Sequence, residues 1–405
     1  MNILIIIKII TVFIILIMLM RFKAKIGIAF LITTVSFILM FFYGWANIGR
    51  TIFKTLSSWE TWRLVLSVYF ILILSSIMEI TGNTKALVNS IIHSLKNKRL
   101  AAIFLPAFIG LIPMPGGALF SAPMVKNVIN AKKAKPAVLT YFNYWNRHIW
   151  EFFWPLYPGI ILIGSIFNIK IFDITVHLWI FTPLMVFVGY IYTRNLTFID
   201  YKIIKGKYLK SFLKSSWYIF FIIITLLIFK IDIVIILASV LIIDMIIYRK
   251  VREKFIKIAK MSFNINTIVL LFSIMLFKTA INDSGFMGYI GDITKLSLIS
   301  QYSVITLLPF IMGILTGITV GFVGIAFPLL SSIIGTGDNI KYSLLALTFI
   351  AGFSGVLLSP FHLCLILTKE YYKANFKDIY KILLPSVITL FIASLCIIII
   401  IGKLF

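Results

Sequence analysis

Phe104-Leu-Pro-Ala-Phe-Ile-Gly-Leu-Ile-Pro-Met-Pro-Gly-Gly-Ala-Leu-Phe-Ser-Ala-Pro-Met-Val125 is apolar enough for a bilayer, yet Pro113, Pro115, Gly116 and Gly117 interrupt it. No continuous helix passes through Pro113-Met114-Pro115-Gly116-Gly117, because each proline removes a backbone donor and glycine favours turns. Lipid does not tolerate the freed backbone groups, so the interruption must face protein or a water-filled cavity. The stretch reads as two short helices meeting at a tip inside the membrane, a re-entrant hairpin over 100–126.

The chain repeats this some two hundred residues later. Leu307-Leu-Pro-Phe-Ile-Met-Gly-Ile-Leu-Thr-Gly-Ile-Thr-Val-Gly-Phe-Val-Gly-Ile-Ala-Phe-Pro-Leu-Leu330 aligns Leu308-Pro309 with Leu105-Pro106 and Gly313 with Gly110, at one offset. Two extra residues then bring Phe327-Pro328 opposite Ala122-Pro123, and Ser359-Pro360 opposite Trp154-Pro155. Upstream, Glu79 and Gly82 match Asn282 and Gly285 in the first register. Apolar segments resemble one another by composition alone, but colinear Gly and Pro favour an internal repeat. The second hairpin covers 303–336.

Composition fixes the class. The chain is 61% hydrophobic and 13% charged, with a mean hydropathy of +1.08, which marks a polytopic membrane protein. A net charge of +25 would suit nucleic acid, but the charges sit in short loops between apolar runs. They read as topology signals and contacts to anionic lipid head groups, and no nucleic-acid partner is expected. Cys364 and Cys396, both in apolar surroundings, give neither a disulfide framework nor a metal site, and no cofactor motif is present.

Met1 to Met20 lacks a basic leading region and a small-residue cleavage site, so it reads as a retained transmembrane helix. Further spans are expected over 26–43, 62–82, 176–192, 216–229, 233–248, 263–282 and 382–401. Residues 137–167 form a span interrupted around Arg147 to Pro158, and 342–367 one interrupted around Gly352 to Pro360. The fold class is thus all-α, with about ten transmembrane helices plus two re-entrant hairpins. Residues 1–60 hold N-terminal helices, 61–170 the first repeat, 171–262 connecting helices, 263–370 the second repeat and 371–405 a C-terminal helix.

The distribution of Lys and Arg orients this layout. With both termini outside, 27 of the 38 fall in the inside segments 21–25, 83–99, 126–136, 194–214, 249–260 and 369–381, against eight outside. The first hairpin then opens inward and the second outward. Inverted repeats with broken helices at matching positions are the architecture of secondary transporters.

Pro113-Met-Pro-Gly-Gly-Ala-Leu-Phe-Ser-Ala-Pro123, Asn143-Tyr-Trp-Asn-Arg-His-Ile-Trp-Glu-Phe-Phe-Trp-Pro-Leu-Tyr-Pro158 and Thr316-Gly-Ile-Thr-Val-Gly-Phe-Val-Gly324 resemble an uncharacterised family of prokaryotic integral membrane proteins, the domain of unknown function 401. That family is grouped with the ion transporter superfamily, whose members carry dicarboxylates, citrate, gluconate and arsenite. The resemblance covers about residues 60 to 400. It implies a scaffold domain and a transport domain that bears both hairpins and moves like an elevator. The Ser-Asn-Thr tip signature of the sodium–dicarboxylate branch is absent.

Chemistry concentrates in Asn143-Tyr-Trp-Asn146-Arg147-His148-Ile-Trp-Glu151, since ionisable groups inside a membrane are costly and face a cavity or each other. On one continuous helix Arg147 pairs with Glu151 at i, i+4, His148 meets Glu151 at i, i+3, and Asn143 lies one turn before Arg147. In the functional reading Arg147, Asn143, Asn146 and the helix N-termini at the tips receive an anion. Glu151 or His148 then carries a coupling proton. The plainer reading is an internal Arg–Glu pair that locks the broken helix.

The tips contribute Pro113, Met114, Pro115, Gly116, Gly117 and Ser121 on one side and Thr316, Gly317, Thr319 and Gly321 on the other. Threonine often bonds only its own helix, however. Ser354, Ser359 and His362 belong to the second broken helix, where a lone histidine is more often packed than ligating. Glu79 and Asp283, at the span ends before each hairpin, are cation-ligand candidates beside the simpler account of solvated interfacial carboxylates.

The expected activity is secondary active transport of a small, anionic solute across the cytoplasmic membrane by a multi-pass carrier. H+ or Na+ is the coupling ion, lipid the surroundings, and a homodimer is compatible with the sequence. The alternatives are an intramembrane enzyme or a lipid- or isoprenoid-handling protein. An enzyme needs paired aspartates, a His-Glu-x-x-His helix or clustered carboxylates, and the 13 acidic residues show none of these patterns.

Overall fold

The computed structural model describes residues 3–22, 24–42, 44–84, 86–87, 90, 97–111, 117–130, 134–199, 207–286 and 298–402. The expected first tip, Pro113 to Gly116, lies outside the described residues. Among those described, the regular structure is helical, with one isolated bridge between Ile129 and Phe198.

Helices α1 (Ile3–Arg21), α2 (Ile26–Phe41), α3 (Trp45–Ser57) and α4 (Trp59–Ile80) lead into the first hairpin, α5 (Lys98–Gly110) and α6 (Gly117–Val128). A broken pair follows, α7 (Pro136–Arg147) and α8 (Pro158–Phe167), then α9 (Ile171–Leu178) and α10 (Phe181–Thr193). Helices α11 (Lys207–Leu227), α12 (Ile233–Ile247), α13 (Arg249–Ser262) and α14 (Ile265–Asp283) connect to the second hairpin, α15 (Leu298–Thr316) and α16 (Thr319–Ile334). A second broken pair, α17 (Tyr342–Leu358) and α18 (Leu363–Tyr372), precedes α19 (Phe376–Gly402).

Among the described residues five segments are long and apolar enough to cross a membrane: Trp59–Ile80, Ile171–Thr193, Ile265–Asp283, Tyr342–Tyr372 and Phe376–Ile400. By contrast α5 and α6, with 13 and 12 residues, reach about 20 Å at 1.5 Å per residue, well short of a ~30 Å hydrocarbon core.

Local chemistry sets these boundaries. Asn97 caps α5 by accepting from the Arg99 and Leu100 amides at 3.0 and 3.1 Å, and Asn264 caps α14 through Thr267 at 3.1 Å. Pro136 and Pro158 open α7 and α8, where a missing N–H costs nothing. Gly317 ends α15 with φ +63°, a backbone conformation that favours glycine. Ser359 is extended before Pro360, as the residue preceding a proline prefers, and ends α17. The second interruption is therefore at Ser359 to His362. Gly352 lies inside α17, and its missing side chain makes room for the Phe322 ring.

Helix α7 is buried almost all round, with Tyr141, Phe142, Tyr144 and Trp145 fully enclosed, and it forms the axis of the core. The Trp145 indole donates to the Met185 carbonyl at 2.8 Å across the contact with α10.

Contacts recur between the two hairpin regions in the registers of the sequence match. A Cβ on Gly110 would strike the Arg147 carbonyl oxygen, and one on Gly313 would strike that of Gly352. Trp154 Nε1 donates to the Leu111 carbonyl at 2.9 Å, and Ser359 Oγ donates to the Ile314 carbonyl at 2.6 Å. Trp150 Nε1 donates to Ala107 O at 3.0 Å, where Gly355 sits against Phe310 O in the later copy. Gly82 and Gly285 both take positive φ, +74° and +71°.

Candidate functional site

Chain ends meet around the turn that follows Arg147: Gly117 at the start of α6 lies against Arg147 and Gly159 at the start of α8 against Thr319, Thr319 at the start of α16 bonds Glu151, and His362 just before α18 meets His148. Helix α7 stops at Arg147 and the chain turns from His148 to Tyr157. The expected i, i+4 pairing of Arg147 with Glu151 therefore does not form, because Glu151 is no longer on that helix. Among the described residues, Glu151 instead accepts from the Thr319 hydroxyl through Oε2. Its Oε1 lies 3.7 Å from His148 Nε2. Thr319 is the first residue of α16, so a negative group occupies a helix N-terminus where the backbone dipole favours it.

Arg147 has the opposite situation. It is 5% exposed, its Nη1 has no hydrogen-bond partner, and its guanidinium lies flat against the start of α6. A Cβ on Gly117 would sit 2.5 Å from Nη2 and 2.8 Å from Nη1. A buried cation thus faces a helix N-terminus, which is itself positive. Asn143 joins them: its amide donates to Ala118 O at 3.4 Å and to Thr368 Oγ1 at 3.2 Å. Its Oδ1 is left unpartnered.

The two breaks meet through histidines. His148 Nδ1 is 2.6 Å from the Tyr144 carbonyl, so that nitrogen carries the proton and Nε2 presents a lone pair. His362 Nε2 lies 3.1 Å from His148 Nε2, and Cys364 Sγ is near both. Tyr157 closes the top by donating to Gly110 O at 2.6 Å.

Other sequence candidates sit elsewhere or serve their own helices. Asn146 donates to Phe142 O at 2.9 Å, Thr316 to Met312 O at 2.7 Å, and Ser121 to the carbonyls of Gly117 and Ala118. Gly321 leaves space for the Thr316 side chain, and the Ser354 hydroxyl is buried without a partner. Glu79 is exposed at the end of α4. Asp283 pairs with Lys54 at 2.7 Å at the protein surface. Neither faces Arg147. Sequence reasoning missed Cys364 and Tyr144 as site residues; the one local signal was His362-x-Cys364 directly after the Ser359-Pro360 break.

Fold and site together define a helical membrane protein whose broken helices enclose a buried, charged centre. The chain belongs to the family described as protein of unknown function (DUF401), which matches residues 5–400. No curated protein matches it.

Proposed function

We propose that the protein is a secondary transporter of a small anion, grouped with the ion transporter superfamily, and that Arg147 and the N-terminus of α6 form its receptor. The observation that carries this reading is the buried guanidinium lying against Gly117 with its Nη1 unpartnered. Arg147 makes no direct ion pair with Glu151, and a guanidinium packed on a helix N-terminus is stabilised when an anion binds beside both. The unpartnered Asn143 Oδ1 adds an acceptor, which suits an anion that also carries a hydrogen-bond donor. Glu151 already serves the N-terminus of α16, so the anion belongs on the α6 side.

The recurrent contacts support reading 61–170 and 263–370 as copies of one unit, and the Lys and Arg distribution supports their inversion. The space that Arg147 takes against Gly117 is filled in the second copy by Phe322 against Gly352, which accounts for a single charged receptor. Arg147, His148 and Glu151 are only 3–6% exposed, so solute entry requires movement, as alternating access demands. In this reading α5–α8 and α15–α18 form the moving body, Glu151 and the His148–His362 pair bear the coupling proton, and the protein is a carrier rather than an enzyme.

A thermal-shift screen of detergent-solubilised protein against carboxylates, phosphate and sulfate tests this. A ligand at a hundred times its Kd stabilises the fold by about 2.7 kcal/mol. An anion that raises the Tm of the wild type but not of Arg147→Gln is expected. A shift that survives in Arg147→Gln, or no shift with any anion, would reject the site.

A further inference from the structure

We propose that His148, His362, Cys364 and Glu151 form a binding site for a divalent transition metal of the Zn2+ type. The proposal replaces the coupling-proton role given above to Glu151 and the His148–His362 pair; the anion receptor, Arg147 with α6, adjoins the site but supplies none of its ligands. Two imidazoles, a thiol and a carboxylate are the donors that zinc-class ions select, in place of the all-oxygen sets of Mg2+ and Ca2+.

The spacing of His148, His362 and Cys364 fits one shared ion, with Glu151 beside His148 as the fourth donor. Zn–N bonds of about 2.0–2.1 Å at tetrahedral angles put two ligand nitrogens about 3.3 Å apart. His148 Nε2 and His362 Nε2 are separated by 3.1 Å. His148 Nε2 and Glu151 Oε1 are separated by 3.7 Å, and the two histidines and Cys364 place their donor atoms within 4.8 Å of one another.

The surrounding hydrogen bonds aim these atoms inward. His148 donates its other ring nitrogen to the Tyr144 carbonyl, the arrangement that fixes a metal-binding histidine in its ligating tautomer. Thr319 occupies Glu151 Oε2, which leaves Oε1 turned toward His148. Burial does not seal the cluster: Phe361 is 63% and Leu363 50% exposed on either side of His362, and Cys364 is itself partly exposed.

The charges also balance. A thiolate from Cys364 and the Glu151 carboxylate offset a divalent ion, so the adjacent Arg147 keeps its charge for the anion. The ion would tie the first break to the second, joining residues more than two hundred positions apart in the chain.

Chelator-stripped protein in detergent is titrated with Co2+ in the absence of any added anion, and the visible and near-ultraviolet spectra are followed. Uptake of one Co2+ per chain with tetrahedral-type d–d bands, a thiolate-to-metal charge-transfer band and displacement by Zn2+ is expected. Cys364→Ser should abolish the charge-transfer band, whereas Cys396→Ser should leave it unchanged. His362→Gln should weaken uptake at least about ten-fold, the scale on which loss of even an outer-shell partner acts. Absence of saturable uptake by the wild type overturns the proposal whatever the variants do. So does a charge-transfer band that persists in Cys364→Ser. Since no anion enters the titration, its failure leaves the anion receptor standing, and failure of the anion screen leaves the metal site standing.

Discussion

At the level of single residues, Arg147 and its two glycines make separable predictions. A Cβ on Gly117 meets only the far end of the Arg147 side chain, which can swing aside, whereas one on Gly110 meets the Arg147 backbone carbonyl, which cannot. Gly117→Ala should therefore fold close to normally but lose anion stabilisation in the thermal-shift assay. Gly110→Ala should lose folding stability by about 1–3 kcal/mol or more, as overpacking of a close contact does. Equal effects of the two on melting temperature, with anion binding retained in both, would contradict this placement of the guanidinium. Arg147→Lys keeps the charge but not the planar fork. With hydrogen bonds to charged groups worth about 1.5–3 kcal/mol, the lysine variant should bind the anion at least about ten-fold more weakly. Unchanged affinity in a titration of the purified variant would show that only the charge matters.

At the level of elements, the two breaks are held by matched side-chain hydrogen bonds to carbonyls of the preceding hairpin helix. Trp154→Phe and Ser359→Ala each orphan one such carbonyl, Leu111 or Ile314. An orphaned buried acceptor costs about 1–3 kcal/mol. Both variants should thus lower the unfolding midpoint by comparable amounts, and loss in one alone would argue against equivalent roles. The location of the breaks was legible because proline and glycine act locally: Pro158 starts α8, Gly317 ends α15 and Pro360 ends α17. Partnership was not. Helix α7 ends at Arg147, ahead of any proline, so the spacing that put Arg147 and Glu151 on one face described a helix that has already stopped. Gly352 was read as a breaker, although its contact with Phe322 is a tertiary matter invisible in the chain. The encounter of His148 with His362, 214 positions away, likewise depends on packing between the two halves, and Cys364 by itself gave no reason to look there.

At the level of the whole molecule, the proposed orientation rests on Lys and Arg together with two short amphipathic helices. Helix α3 exposes Trp45, Phe53 and Leu56, and α13 exposes Ile256 and Met261 beside Lys254, Lys257 and Lys260. Each is amphipathic, as helices lying in a membrane interface are. Helix α13 carries six Lys and Arg within 249–260, each near the surface worth about 1 kcal/mol of attraction to an anionic cytoplasmic leaflet. The proposed orientation puts that helix inside and the short 3-10 turn Gly337–Asn339, reached after the second hairpin, outside. Both positions are exposed, so single cysteines at Lys257 and Asp338, introduced in a Cys396→Ser background, report directly on the side. An impermeant maleimide applied to right-side-out vesicles should label Asp338→Cys and spare Lys257→Cys, and inside-out vesicles should reverse the pattern. Labelling of Lys257→Cys from the outside would invert the molecule. The first hairpin would then open outward and the second inward, and the anion bound at α6 would meet the opposite compartment first.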